Sequence, residues 1–312
     1  MKYLSFCKQS LLHLVCLFCP LYIFSQVDTV PPQLACKGFQ EINMGVFCQL
    51  GIFFIADELL ETYADNVTPA AQLETGLRLR CLGTGFPEGQ PRLWFYSNDL
   101  YSNSCIEVWV RDQAGNTAVC ETSIQLVDNW SNCDPIMSAY ATFAENILGI
   151  NKVLIDIRST RCPNEHLQIQ ALTNDGWWLS AGGIPTGYQT TVSASKNSHP
   201  LNGITIHDLF LISQHVQGAT PLTNPYQLLA ADANQDGQIT ALDILTLRRL
   251  MRGTITQLPN GRSWRFVPAD FVFDPLQPFV FPEIIETNLP VSSFHFRGVK
   301  IGDVDFSADP GL

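Results

Sequence analysis

The sequence predicts a mainly β chain with a small α region, arranged as two β-sandwiches followed by a compact helical unit. Three observations carry this reading. Apolar and polar residues alternate through residues 105–127, and further alternating runs recur between 152 and 194. Between 196 and 253 the apolar period lengthens to that of amphipathic helices, around a motif given twice. Of the 312 residues, 46% are hydrophobic and 15% charged, a balance that suits packed cores and excludes a disordered chain.

Residues 1–25 read as a cleavable export signal. Lys2 and Lys8 precede a mostly apolar stretch from Leu11 to Phe24, and Ile23 and Ser25 fit the −3 and −1 positions of a cleavage site before Gln26. A membrane anchor fits less well. Fourteen helical residues reach about 21 Å, short of a ~30 Å hydrocarbon core, and Pro20 interrupts the run. Expected is a secreted or cell-surface protein with no transmembrane segment after cleavage. Loss of the two lysines takes the net charge from −11 to −13, which repels phosphate backbones and argues against nucleic acid as partner.

Of ten cysteines, Cys7, Cys16 and Cys19 leave with the signal. Cys36, Cys48, Cys81, Cys105, Cys120, Cys133 and Cys162 remain, with no CxxC pair among them, so disulfides are expected in place of a zinc site. An odd number leaves at least one thiol free or paired outside the chain.

Within residues 26–130 the clearest element is a hairpin. Ile106, Val108 and Val110 alternate with Glu107, Trp109 and Arg111; a turn follows at 112–116; Ala118, Cys120, Thr122, Ile124 and Leu126 then share one face. Asp28 to Pro32 leading to Cys36, the pair Asp65 and Asn66, and the run from Val110 to Asn116 and on to Cys120 resemble the HYR-type immunoglobulin-like repeat of extracellular proteins. The resemblance implies a spacer or adhesion module with a bridge between first and last strands, here Cys36 to Cys120. The family often has a cysteine after the Asp-Asn pair, where this chain has Val67, so the other pairings stay open.

Residues 134–195 predict a second, smaller β unit. Residues 152–157, 167–172 and 188–194 supply its strands, and Gly182, Gly183, Pro185 and Gly187 punctuate its loops. The arrangement is similar to the carboxypeptidase-regulatory-like, prealbumin-like sandwich. Trp177 and Trp178 are adjacent, so in a strand one faces the core and the other solvent, where sugar stacking is the functional alternative to an inter-module contact.

Residues 196–312 form the third unit, with a helical core at 196–253. Asp208 to Gly218 and Asp243 to Gly253 repeat at an offset of 35, each reading as a short helix stopped by glycine. Before the second helix, Asp232, Asn234 and Asp236 take positions 1, 3 and 5 of a twelve-residue cation loop. Gly237 takes the sharp turn at 6, Gln238 offers a carbonyl at 7, Thr240 an oxygen at 9 and Asp243 a carboxylate at 12. That spacing wraps six to eight oxygens round one point, which is what Ca2+ requires; an ordinary Asp/Asn/Gly turn has no reason to fill every slot and then open a helix.

Loop-then-helix with Asp at position 12, given twice, resembles the type I dockerin. The resemblance implies Ca2+ as cofactor and a cohesin-like module as partner, met by Ala241, Leu242, Arg248, Arg249 and Arg252. The bland alternative for those arginines is a solvated basic face near a helix C-terminus. The first repeat is worn. Asn197 falls at position 1, but His199 and Leu201 stand at 3 and 5, leaving Gly203, Thr205 and Asp208 as the other ligands. The tail from Lys300 to Asp305 resembles the opening of such a loop, so Asp303 and Asp305 are expected to fold back and complete this weak site.

Residues 254–312 carry Trp264, Phe266, Phe271, Phe273, Phe279, Phe281, Phe294 and Phe296, read as strands and loops packed on the helices. The combination resembles secreted or surface proteins of Bacteroidota-type bacteria. Expected is a non-catalytic, calcium-binding adhesion or docking protein; the alternative is a scaffold-docked component of a polysaccharide-degrading system, reached through a glycan or cell-surface partner. No HExxH, GxSxG, P-loop or Rossmann fingerprint occurs, and Glu283 with Glu286 is the one carboxylate pair to weigh as a glycosidase couple.

Overall fold

The computed structural model describes residues 28–47, 50–129, 136–145, 148–163, 165–181, 183–288 and 293–312. The export signal, Cys48 and Cys133 lie outside the described residues. The architecture is mainly β, with short helices gathered in the C-terminal third.

The first unit runs β1 (Gln33–Cys36), β2 (Gln40–Asn43), β3 (Ile52–Ile55), a one-turn helix α1 (Ala56–Leu59), β4 (Leu60–Ala64), β5 (Glu74–Leu79), β6 (Arg92–Phe95), β7 (Asn103–Arg111) and β8 (Thr117–Val127). A four-stranded sheet in the order β2-β8-β7-β5 shares one core with the pairs β1-β4 and β3-β6. The expected hairpin is β7–β8, with Val108 opposite Cys120 and Arg111 opposite Thr117. Because strand side chains alternate between faces, Ile106, Val108, Val110, Ile124 and Leu126 all turn into this core.

A disulfide joins Cys36 of β1 to Cys120 of β8, with Cα atoms 5.8 Å apart. Asp28, Asp65 and Asp112, all within the segments that resemble an HYR repeat, converge with carboxylate oxygens within 4.8 Å. Asn116 helps gather them, its Nδ2 donating to Asp112 Oδ2 (2.7 Å) and to the Asp28 carbonyl (3.0 Å).

A second disulfide, Cys81–Cys162, crosses from the first unit to the second. Nearby, Arg80 pairs with Glu165, and the Thr186 hydroxyl and amide donate to the Asp99 carboxylate. Burial raises the pKa of that carboxyl from its ordinary value. Cys105 is the free thiol among the described cysteines.

The second unit contains β9 (Ile136–Phe143), β10 (Leu154–Thr160), β11 (His166–Leu172), β12 (Trp177–Ala181) and β13 (Gln189–Ser195), and it does not end there. After the helices the chain returns as β14 (Trp264–Pro268), β15 (Ile284–Thr287) and β16 (Ser293–Lys300). β15 extends the sheet β11-β10-β13-β15, while β16 and β14 extend β12-β9-β16-β14, where β16 pairs with β9 in parallel. The expected boundary between residues 195 and 196 therefore divides a single sandwich, and the helical segment is an insertion between β13 and β14. The aromatic residues of 264–300 point to strands and loops; the pairing of β15 with β13 and of β16 with β9, roughly 90 and 155 residues earlier, leaves no such local mark.

The aromatic tail divides accordingly. Trp264, Phe266, Phe294 and Phe296 enter the sandwich core with Phe143, Ile155 and Val192. Phe271, Phe273, Phe279 and Phe281 pack against the helical core instead. Trp178 packs against the sandwich core, whereas Trp177 is 51% exposed and stacks edge-on to Tyr140, so the two adjacent tryptophans do face opposite ways.

The insertion holds α2 (Ile206–Val216), α3 (Pro225–Ala231) and α4 (Ala241–Met251). Thr205 and Thr240 cap α2 and α4 through His207 N and Leu242 N, and Asn224 caps α3, whose Pro225 needs no donor in the first turn. Leu209, Ile212, Leu229, Leu247 and Leu250 close the core with Val267, Val299, Ile301 and Val304 from the returning chain.

The Cys36–Cys120 bridge spans 84 residues. The double variant Cys36→Ser/Cys120→Ser should lose about 4 kcal/mol of stability on the chain-entropy account. Denaturant unfolding followed by circular dichroism checks it, against wild-type protein with its bridges intact.

Candidate metal centres

Each half of the helical insertion places an acidic loop against the start of a helix. In the second half the loop is contiguous. Asp232, 1% exposed, stands at the end of α3; its two carboxylate oxygens accept the amides of Asp236 (3.1 Å) and Gly237 (3.0 Å). Asn234 Oδ1 also accepts Asp236 N (3.0 Å), and Asp236 Oδ1 accepts Gln238 N (2.9 Å). Asp243 closes the ring from the first turn of α4. Its Oδ1 accepts Asn234 N (3.1 Å) and its Oδ2 accepts Thr240 N (2.7 Å). Gln235 and Gly237 take left-handed conformations, with φ of 59° and 81°, and these curl the backbone round the carboxylates.

Such a ring is expensive by itself. Burial raises the Asp232 pKa, and the neighbouring charges of Asp243 and Asp236 raise it further. No described basic side chain forms an ion pair with Asp232, Asp236 or Asp243. Oxygen donors only, several of them anionic and with no cation beside them, fit a hard divalent ion. Asp232, Asn234, Asp236, Gln238, Thr240 and Asp243 all belong to this one loop and helix start, in the spacing read from the sequence.

In the first half, Asp208 is fully buried in the first turn of α2. Its Oδ2 accepts Thr205 N and the Thr205 hydroxyl, both at 2.8 Å. Its Oδ1 accepts Val304 N (2.7 Å) and Asp305 N (3.2 Å) from the far end of the chain. The carboxylates of Asp208, Asp303 and Asp305 come within 4.8 Å of one another. Burial above all, then a side-chain hydrogen bond with Asp305 and the charge of Asp208, push the Asp303 carboxyl up to about 7.

Gly203 is also here, its carbonyl accepting the Ser307 hydroxyl at 3.1 Å. Asn197 is a correction to the expected ligand set. Its Oδ1 accepts Ser263 N (3.2 Å) at the entrance to β14, so its side-chain oxygen is engaged with the sandwich. Leu201, at position 5 of the worn repeat, is 46% exposed, and Ser307, at the equivalent distance from Asp303, is the residue that sequence reasoning missed.

On the outer surface of the helices, Ala241, Leu242, Arg248, Arg249 and Arg252 are all exposed. Alongside them stand apolar side chains that the repeat alignment did not single out: Ile206 (78% exposed), Phe210 (54%) and Leu245 (43%). A groove between α2 and α4 is lined by Ile206, Phe210, Arg248, Met251 and Arg252. At the positions where α4 carries Arg248, Arg249 and Arg252, the 35-residue offset gives α2 Ser213, Gln214 and Gln217. No helix among the described residues is long and apolar enough to cross a membrane.

Residues 202–252 match the family model of the dockerin type I domain, and no curated protein matches the chain. Dockerin domains bind calcium and dock to cohesins, which makes Ca2+ the ion that the oxygen ring of residues 232–243 is suited to hold.

At a Ca2+ concentration one hundred times the dissociation constant, one site stabilises the fold by about 2.7 kcal/mol. Asp243→Asn should remove that increment, so the difference in melting temperature between Ca2+ and chelator shrinks relative to wild type. Differential scanning calorimetry with and without chelator measures it; an undiminished difference rejects the ring as a calcium site.

Proposed function

We propose that the chain is a non-catalytic, secreted or cell-surface protein that docks to a cohesin-like module in a Ca2+-dependent manner through the outer face of α2 and α4. The observation that carries this reading is the coincidence of a dockerin-type calcium loop with an exposed, mixed apolar and cationic surface set directly upon it. Thr240 links the two: its backbone amide bonds to the metal-facing Asp243 while its hydroxyl caps the helix that presents Leu242. When bound, the ion would be held by Asp232, Asn234, Asp236, Gln238, Thr240 and Asp243, and it would fix the start of α4.

The chemistry of the face describes the partner. Leu242, Leu245, Ile206 and Phe210 are large apolar groups left in water, and Arg248, Arg249 and Arg252 have no described ion-pair partner, although the chain is acidic overall. A complementary surface has an apolar centre and carboxylates at its rim, which favours docking by burial and speeds encounter by charge. The β-sandwiches serve as spacers, and the two disulfides among the described residues suit an oxidising, extracellular setting. Glu283 pairs with Arg262 and Arg265, and Glu286 stands across from Thr191 at a sheet edge, an arrangement that supports the non-catalytic reading.

A pull-down with cohesin modules tests the reading. Wild type should bind in Ca2+ and release in chelator. Leu242→Asp combined with Arg249→Glu should weaken binding by at least thirtyfold, about 2 kcal/mol at a central contact, with calcium uptake unchanged. Retention that ignores both chelator and variant would overturn the proposal.

A further inference from the structure

The two halves of the helical insertion hold equivalent loops, but only one of them is a continuous piece of chain. Asp303 repeats what Asp232 does. Its two oxygens accept the amides four and five residues ahead, Ser307 (2.9 Å) and Ala308 (2.9 Å), as Asp232 accepts those of Asp236 and Gly237. Asp305 accepts Ser307 N (3.2 Å) as Asn234 accepts Asp236 N (3.0 Å). Phe306 and Gln235, each third after the leading aspartate, share the left-handed conformation at φ 57° and 59°. Asp305 N donates to Asp208 Oδ1 as Asn234 N donates to Asp243 Oδ1. From there the correspondence jumps to the start of the insertion, where Gly203, Thr205 and Asp208 stand as Gln238, Thr240 and Asp243 do.

At the junction the two ends abut. A Cβ placed on Gly203 would lie 2.7 Å from the Ala308 backbone, so only glycine admits the approach. Asn202 staples the break with its side-chain amide, Nδ2 donating to the Asp309 carbonyl (2.7 Å) and Oδ1 accepting Asp309 N (3.0 Å). The dockerin match begins at Asn202, so it contains the second half of this loop and not the first.

We infer that the first calcium loop of this domain is split: residues 303–308 supply its positions 1 to 6 and residues 203–208 its positions 7 to 12, so that one Ca2+ clasps the segment after β16 to the start of α2. The inference rests on the calcium reading of the contiguous loop and extends it to residues nearly a hundred positions apart. Asp303, Asp305 and Asp208 supply carboxylates, Ser307 a hydroxyl, and the Gly203 carbonyl points at that hydroxyl. The clasp closes the start of the insertion onto the segment that follows β16, and because β16 lies between β9 and β14 it also ties α2 to the sandwich.

Calorimetric titration of the full chain with Ca2+ tests this. Wild type should take two ions. Asp303→Asn/Asp305→Asn should take one, and Asp232→Asn/Asp243→Asn should also take one. Hydrogen exchange at residues 304–308 supplies a second readout: Ca2+ should slow it at least tenfold in wild type, and Asp208→Asn should abolish that slowing. Two ions in a folded Asp303→Asn/Asp305→Asn variant, or loss of an ion in Asn197→Ala, would overturn the split loop in favour of the contiguous 197–208 segment. No uptake by wild type would reject the calcium reading as a whole, whereas one ion that survives Asp303→Asn/Asp305→Asn and is lost in Asp232→Asn/Asp243→Asn would reject the split loop alone.

Discussion

In the helical insertion and the tail that packs on it, Asp208, Asp232, Asp243 and Asp303 have 1% or less of their surface in water, and none forms an ion pair with a described basic side chain. Burying an ionised carboxylate costs several kcal/mol even after relaxation, and amide hydrogen bonds offset only part of that. The helical insertion therefore carries a standing electrostatic debt in two places. Each place is at the first turn of a helix, where the carboxylate also receives backbone amides and meets the positive end of the helix dipole. Uptake of a hard cation at these places would therefore be coupled to the stability of the insertion.

The sandwich deals with a different constraint. Removing 196–262 from a two-sheet core leaves strands β14 to β16 to be recovered from the far side of the helices. β16 pairs with β9 in parallel and β14 with β16 antiparallel, which brings Val299 and Ile301 beneath the helices while Phe294 and Phe296 remain in the sandwich. One strand thus belongs to two cores, its first half to the sheets and its last residues to α3 and α4. The insertion is not a bead on a string; its floor is the end of the sheet.

How much of this could be read in the residues follows from what kind of signal each part leaves. The hairpin β7–β8 and the ring at 232–243 are local: their partners lie within about twenty positions, so period and spacing record them directly. The expected docking residues on α4 are also local, and all are exposed. The apolar half of that face, Ile206 and Phe210, was passed over because exposed apolar residues on a helix look like core residues until the packing direction is known. Pairings across the insertion left weaker traces. Trp264 and Phe266 on either side of Arg265 suggest a strand but not its neighbour, and the offset that makes Asn197 a ligand assumes an unbroken loop. The tail aspartates were found only because Lys300 to Asp305 resembles the start of such a loop.

Contacts that involve none of the proposed ligand oxygens also hold the tail in place. Lys300 is fully buried, and its ammonium donates to the Pro200 carbonyl (2.8 Å); burial lowers its pKa to about 8. Gly302 N donates to the Ala230 carbonyl (2.8 Å), and a Cβ there would come within 2.6–2.7 Å of Ile204 and Leu247. These contacts set the backbone just before Asp303 against both halves of the helical insertion, independently of any ligand. The ordering entropy of a segment that far along the chain is thus met largely by packing, and loop closure over such a length grows only logarithmically with separation. A cation arriving at Asp208, Asp303 and Asp305 meets a site whose halves are already adjacent. Splitting the loop therefore costs little affinity, and it converts a local calcium site into a long-range crosslink.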